Sequence, residues 1–189
     1  MKRFALVIAL LSISFAYCQK PCDFSTNVKD SLGTYKSTRE YAFYEKVFGA
    51  TSSRIFFSLV KTDDLPALNV TFIYKSNDFI KANCFDSNSR MYLQLANGKV
   101  VTLVYAGNDN CGTMVRDQAG INNRIQTGVF LFMKDSYEEL KKSPVNLMRI
   151  RYGTETLDYI VKSELISEAD GLTYHPETYF VDALHCIMN

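Results

Sequence analysis

The sequence predicts a mainly β fold: an antiparallel sandwich or curved sheet with a short helix and a C-terminal helix. Three observations carry this. Aromatic residues are plentiful, with 12 Tyr and 13 Phe, and together with the β-branched residues they favour strands over helices. Apolar runs are of strand length, and several alternate with polar residues. Turn residues punctuate them, and helical periodicity is confined to two short stretches.

The first stretch of chain is set apart from the fold. Lys2 and Arg3 precede an uncharged, largely apolar run from Phe4 to Ala16. That run is shorter than the about 20 residues that a membrane-crossing helix needs, and it suits a secretory signal peptide. Two cleavage points have small residues in place. One follows Ala16 and the other follows Cys18. Cysteine parity favours the second: of Cys18, Cys22, Cys84, Cys111 and Cys186, four remain and can pair completely. Residues 1–18 are therefore read as the signal peptide and 19–189 as one disulfide-bearing domain. A lipid on Cys18 is the rival reading; bulky Tyr17 disfavours it. Loss of Lys2 and Arg3 from 21 basic residues, against 20 acidic ones, leaves the charge nearly balanced. Nothing then attracts a polyanion over distance, so nucleic acid is not an expected partner. No later stretch is apolar enough to be a transmembrane segment.

Within the domain, Gln19 to Thr38 is polar and weakly patterned. Ser37 to Phe48 reads two ways: Ser37 with Glu40 looks like a capping box before a helix, while Tyr41, Phe43 and Val47 also fit a period of two. Arg54–Lys61 reads as a buried strand. Leu68, Val70, Phe72 and Tyr74 alternate with Ala67, Asn69, Thr71 and Ile73 as a half-buried one, and Thr62–Pro66 supplies a hairpin turn between them. Met91–Tyr105 is the clearest hairpin, with Asn97-Gly98 suited to a type I′ turn. In that register Leu95 faces Val100, Leu93 faces Thr102, Met91 faces Val104 and Tyr92 faces Leu103. Apolar groups on both faces point to the inside of a sandwich. Residues 106–123 read as a long loop, and Arg124–Met133 as a strand. Asp135–Lys142 reads as a short helix N-capped by Asp135 and stopped by Pro144. Val145–Tyr152 and Glu155–Lys162 form a hairpin around Gly153-Thr154. Pro176–Met188 closes the chain as a helix whose apolar stripe is Phe180, Ala183, Leu184 and Ile187.

The four cysteines allow three pairings. Extended outward, the Asn97-Gly98 hairpin brings Cys84 opposite Cys111, and cross-strand neighbours suit a disulfide. That leaves Cys22 for Cys186, tying the start of the domain to its last helix.

The strand running into an acidic turn (IFFSLVKTDD), the hairpin YLQLANGKVVTL, the block YEELKKSPVNLMRIRYGTETLDYIV and the closing YFVDALHCIMN, with the signal peptide followed by Gln19, carry a resemblance. They resemble small uncharacterised exported proteins of Bacteroidetes, the flavobacteria especially, over most of residues 40–189. The resemblance is one of hydrophobic and turn pattern. It implies that Ser37–Phe48 is strand, and it brings no catalytic residues.

Candidate chemistry is sparse. His175 and His185 are the two histidines; zinc takes three or four ligands, and adjacent His185 and Cys186 on a helix point about 100° apart. No Gly-x-Ser-x-Gly elbow occurs. In an oxidising compartment the cysteines are bonded rather than nucleophilic. Asp63-Asp64 fits a turn, and Asp109, flanked by asparagines, lacks the spacing of a calcium loop. Arg149 and Arg151 share a strand face that an anion or solvent would occupy. Asn69-Val70-Thr71 is a glycosylation sequon inside a predicted strand. The tyrosines serve either a core or a contact surface. The expected function is an exported domain, periplasmic or extracellular and not lipid-anchored, with a structural or binding role toward a protein or small-molecule ligand. It is expected to use no catalytic residue, cofactor or metal. The alternative is a small secreted hydrolase using carboxylates brought together by the fold.

Overall fold

The computed structural model describes residues 20–31 and 33–188. The expected signal peptide, its expected cleavage after Cys18 and Gln19 as expected first residue lie outside the described residues.

The chain forms an antiparallel sheet of 11 strands. Two polar ribbons open it, β1 (Phe24–Asp30) and β2 (Gly33–Thr38), followed by β3 (Tyr41–Phe48). The segment read as helix or strand is thus strand. No capping box forms, because Glu40 accepts from Thr71 Oγ1 at 3.1 Å and Ser37 Oγ turns to a carbonyl. The long β4 (Thr51–Thr62) and β5 (Leu65–Ser76) meet at the Asp63-Asp64 turn. Asp63 adopts φ 52° there, and its carboxylate accepts from the Thr34 N–H at 2.9 Å. After them come β6 (Arg90–Leu95), β7 (Val100–Tyr105), β8 (Thr113–Arg116), β9 (Asn122–Phe132), the short α1 (Ser136–Leu140), β10 (Val145–Arg151) and β11 (Thr156–Ile160). The spatial order is β1-β2-β4-β5-β9-β7-β6-β10-β11, with β3 also on β4 and β8 also on β9. A separate ribbon, β12 (Leu165–Ile166) with β13 (Thr173–Tyr174), leads into a 3₁₀ turn (Pro176–Thr178), α2 (Tyr179–Ala183) and α3 (His185–Met188). Among the described residues no helix is long and apolar enough to cross a membrane.

The sheet curls until its far strands touch. Tyr159 on β11 lies edge-on to Tyr44 on β3, with ring centres 5.1 Å apart, and its Oη is 3.0 Å from Tyr74 Oη on β5. β3 and β11 do not pair, so the curl stays open at that seam. Inside it one core forms from Ile55, Phe57 and Leu59 on β4, Leu68, Val70 and Phe72 on β5, and Met91, Leu93 and Leu95 on β6. Val101 and Leu103 on β7 and Met148 and Ile150 on β10 complete that ring of residues. The C-terminal helices plug it with Phe180, Leu184 and Ile187, each fully buried. Three of the four stripe residues read from the sequence are thus core; Ala183 packs at its margin.

Several elements differ from the sequence expectation. The hairpin register is one residue off. Met91 faces Leu103, Leu93 faces Val101 and Tyr92 faces Thr102. The turn is the three-residue form, with Gly98 N–H donating to Leu95 O at 2.9 Å and Gly98 alone at positive φ, 84°. A type I′ turn would need Asn97 there too. The slip is what places Val101, Leu103 and Tyr105 on the core face instead of Thr102. Asp135 does not cap α1 through its side chain; it sits at φ 68° and makes no side-chain cap bond. The final helix is broken into three short pieces rather than running unbroken. The polar stretch before Thr38 is a ribbon, and the loop at 106–123 contains β8.

Candidate functional site

Two disulfides are present: Cys22–Cys186, with Cα atoms 5.6 Å apart, and Cys84–Cys111. These are the two pairs that the sequence argument reaches. The second flanks an isolated bridge in which Phe85 and Asn110 exchange both backbone hydrogen bonds, at 2.8 and 3.0 Å.

The first lies in a cleft of about 300 Å³ between the N-terminal segment, the start of β3 and the C-terminal helices. β2 ends in buried Thr38, and the chain bends at Arg39-Glu40 so that Tyr41 stands beside the last helices. Tyr41, Tyr174 and Tyr179 form one wall. Tyr41 is 4.9 Å from Tyr174 edge-on and 4.8 Å from Tyr179, by ring centres. Offset and edge contacts of this kind hold rings in fixed orientation. Tyr41 Oη accepts from the His175 N–H at 2.6 Å, and Tyr174 Oη donates to Asp170 at 2.6 Å. Tyr179 is buried, and its Oη finds no partner among the described residues.

The three phenols stay neutral at physiological pH. Burial pushes Tyr41 up, with the hydrogen bond from His175 opposing it. Burial and then the bond to Asp170 push Tyr174 to about 12. Burial likewise raises Tyr179. Most of the charges on the rim neutralise one another: Lys20 pairs with Asp182 at 2.6 Å and Arg39 with Asp23 at 2.8 Å, while the Glu40 carboxylate accepts from the Thr71 hydroxyl. Leu172, Ala183 and the Cys22–Cys186 sulfurs add apolar or soft surface.

His185 sits against the disulfide. Its Nε2 is 3.3 Å from Cys22 Sγ, 3.6 Å from Cys186 Sγ and 3.1 Å from the Lys20 carbonyl. A carbonyl only accepts, so Nε2 carries the proton. Potential ligand atoms of Cys22, His185 and Cys186 lie within 4.8 Å of one another. With the sulfurs bonded to each other they are not the thiolates that zinc requires. The sequence missed this grouping because neighbours on an ideal helix diverge, whereas here the disulfide draws Cys22 in beside His185.

Of the other candidate side chains, His175 and Arg149 are committed to local contacts. His175 Nδ1 is 3.1 Å from the Ser163 carbonyl. Arg149 makes two bonds to Asp158, at 2.6 and 2.7 Å, and Arg151 and Asp109 are exposed. Asn69 stands within β5 between Ser58 and Val129. The carboxylates with displaced titration are all lowered: Asp117 by the Ile121 N–H, Glu139 by Lys99, Asp158 by Arg149 and Asp170 by Tyr174. A carboxyl acting as general acid at neutral pH needs the opposite shift. A larger groove of about 570 Å³ follows the β3–β11 seam, where Glu45 is locked to Arg54 at 2.7 Å and accepts from the Glu168 N–H.

The chain matches no family model, and no curated protein and no solved structure matches it.

Proposed function

We propose that this is an exported, non-catalytic binding domain, and that its ligand presents a small, neutral, largely apolar or aromatic group to the tyrosine-walled cleft. The observation that carries the reading is the cleft itself. Its aromatic wall is uncharged, four of its five rim charges are paired off, leaving Glu40, and its size is at the lower end of ligand pockets. Two disulfides support export, since they persist in oxidising compartments. The resemblance to exported proteins of Bacteroidetes fits the same reading. Two of the three carboxylates in the cleft, Asp23 and Asp182, are held in ion pairs, which weighs against the hydrolase alternative.

Two measurements test the two halves. For export, the intact mass of the secreted protein is expected to correspond to a chain beginning at Gln19; a diacylglycerol on Cys18 would overturn the unanchored form. For binding, saturation-transfer NMR with phenol, indole and cyclohexanol is expected to show contact with the native protein. Ala183→Trp, which fills the cleft with an indole, is expected to abolish the signal. Absence of contact with all three probes, or equal contact with the filled variant, would sink the binding reading.

A further inference from the structure

We propose that the Cys22–Cys186 bridge is a thiol-exchange site, in which His185 stabilises the departing Cys186 sulfur and the cleft admits an incoming thiol. The inference goes beyond the binding reading and stands whether or not the cleft holds an apolar ligand.

The geometry separates the two sulfurs by role. Cys22 is half-buried on the cleft, whereas Cys186 is only 7% exposed. An incoming thiolate therefore meets Cys22 Sγ. Its sulfur bonds to Cys22, the Cys22–Cys186 bond breaks, and the electron pair leaves on Cys186 Sγ. That atom lies 3.6 Å from His185 Nε2 and Cys22 Sγ lies 3.3 Å from it; the Nε2–H rests on the Lys20 carbonyl at 3.1 Å and turns to the departing sulfur as negative charge develops there. A donor so placed stabilises the new thiolate. Exchange is faster the better the leaving thiolate is stabilised. A second thiolate then attacks the external sulfur of the mixed disulfide and frees Cys22. In sum, two external thiols are oxidised to a disulfide, Cys22 and Cys186 are reduced to thiols, and the two protons released end on them. The co-reactant is a small thiol or the dithiol of a thiol–disulfide oxidoreductase.

The second bridge lies apart from both histidines and provides an internal control. Arg124, the cation beside it, directs its bonds to the backbone carbonyls of Cys111 and Ile80.

The test is the rate of reduction of each bridge by glutathione in the folded exported protein, followed by timed alkylation and peptide mass. His185→Ala is expected to slow opening of Cys22–Cys186 about tenfold, the order that leaving-group stabilisation allows, and to leave Cys84–Cys111 unchanged. His185→Gln, which keeps an N–H donor, is expected to recover part of the rate. Opening at the native rate in His185→Ala, or equal slowing of both bridges, would overturn the proposal.

Discussion

Replacing Cys22 and Cys186 together by alanine is expected to lower the unfolding free energy by about 4–5 kcal/mol in the chain-entropy account. The bridge joins residues 164 apart in sequence, so nearly the whole described chain lies within the loop that it closes. Without it the unfolded ensemble gains that freedom. The native state holds Lys20–Asp23 by the Lys20–Asp182 and Asp23–Arg39 pairs and by bonds from His185 and the Arg39 N–H to the Lys20 and Asp23 carbonyls, and exposed pairs are worth little. The comparison is built into the protein. Cys84 and Cys111 are 27 apart, and their replacement is expected to cost about 3–4 kcal/mol by the same relation. Urea unfolding of both double variants, extrapolated to water, measures the two losses. A cost below 1 kcal/mol for the first pair, or a larger one for the second, would show that loop closure is not what the bridges contribute.

The sheet was readable from sequence where one face of a strand is buried and the other is not. Leu68, Val70 and Phe72 alternate with half-buried partners, and β5 lies where that pattern puts it. Where both faces meet water the pattern vanishes: β8 is exposed along its whole length and passed for loop, and β1, nearly as exposed, carried no readable pattern. The hairpin register failed for a different reason. Asn97-Gly98 serves either turn. The choice is fixed by a distant segment, for Ala96 N–H donates to Pro144 O at 2.8 Å and Asn97 N–H to Ser143 Oγ at 3.2 Å. No local rule contains that contact. The argument placing Cys84 opposite Cys111 nevertheless reached a real neighbour. The strands leave register at the loops before Arg90 and after Tyr105, and the Phe85–Asn110 bridge sets the cysteines side by side.

The candidate site was only partly readable. Its cysteines followed from parity and register. Its tyrosines did not, because Tyr41, Tyr174 and Tyr179 come from three elements that meet only when the sheet curls and the last helices dock. Nothing distinguishes them in sequence from Tyr74, Tyr152 and Tyr159, which fill the core interior or line the seam. His185 was set aside on ideal helix geometry, and it is the Cys22–Cys186 bridge that brings a second sulfur to it.

Phe85→Ala is expected to cost about 3–5 kcal/mol, the range for emptying a buried aromatic site. Phe85 belongs to a segment, 77–89, in which the isolated bridge to Asn110 is the sole sheet-like contact, yet its ring is fully buried. It stacks on Tyr105 and Tyr152, each 5.0 Å away by ring centres, and meets Phe130 edge-on at 5.4 Å. One ring thus anchors an irregular crossing to β7, β9 and the end of β10. Gly128 on β9 is what makes room for it: a Cβ there would lie 3.0 Å from Phe85 Cε2 and 3.1 Å from Phe130 Cε2. Gly128→Ala is accordingly expected to cost about 1–2 kcal/mol through overpacking. The two effects must be coupled. In a Phe85→Leu background the methyl group of Gly128→Ala enters space that the ring has vacated, so its penalty should fall by at least about 0.5 kcal/mol. Urea unfolding of the two single variants and the double variant closes the cycle. Strict additivity would mean that Gly128 is not spared a side chain for the sake of Phe85, and a Phe85→Ala loss under 1 kcal/mol would remove that ring from its place as the anchor of the crossing segment.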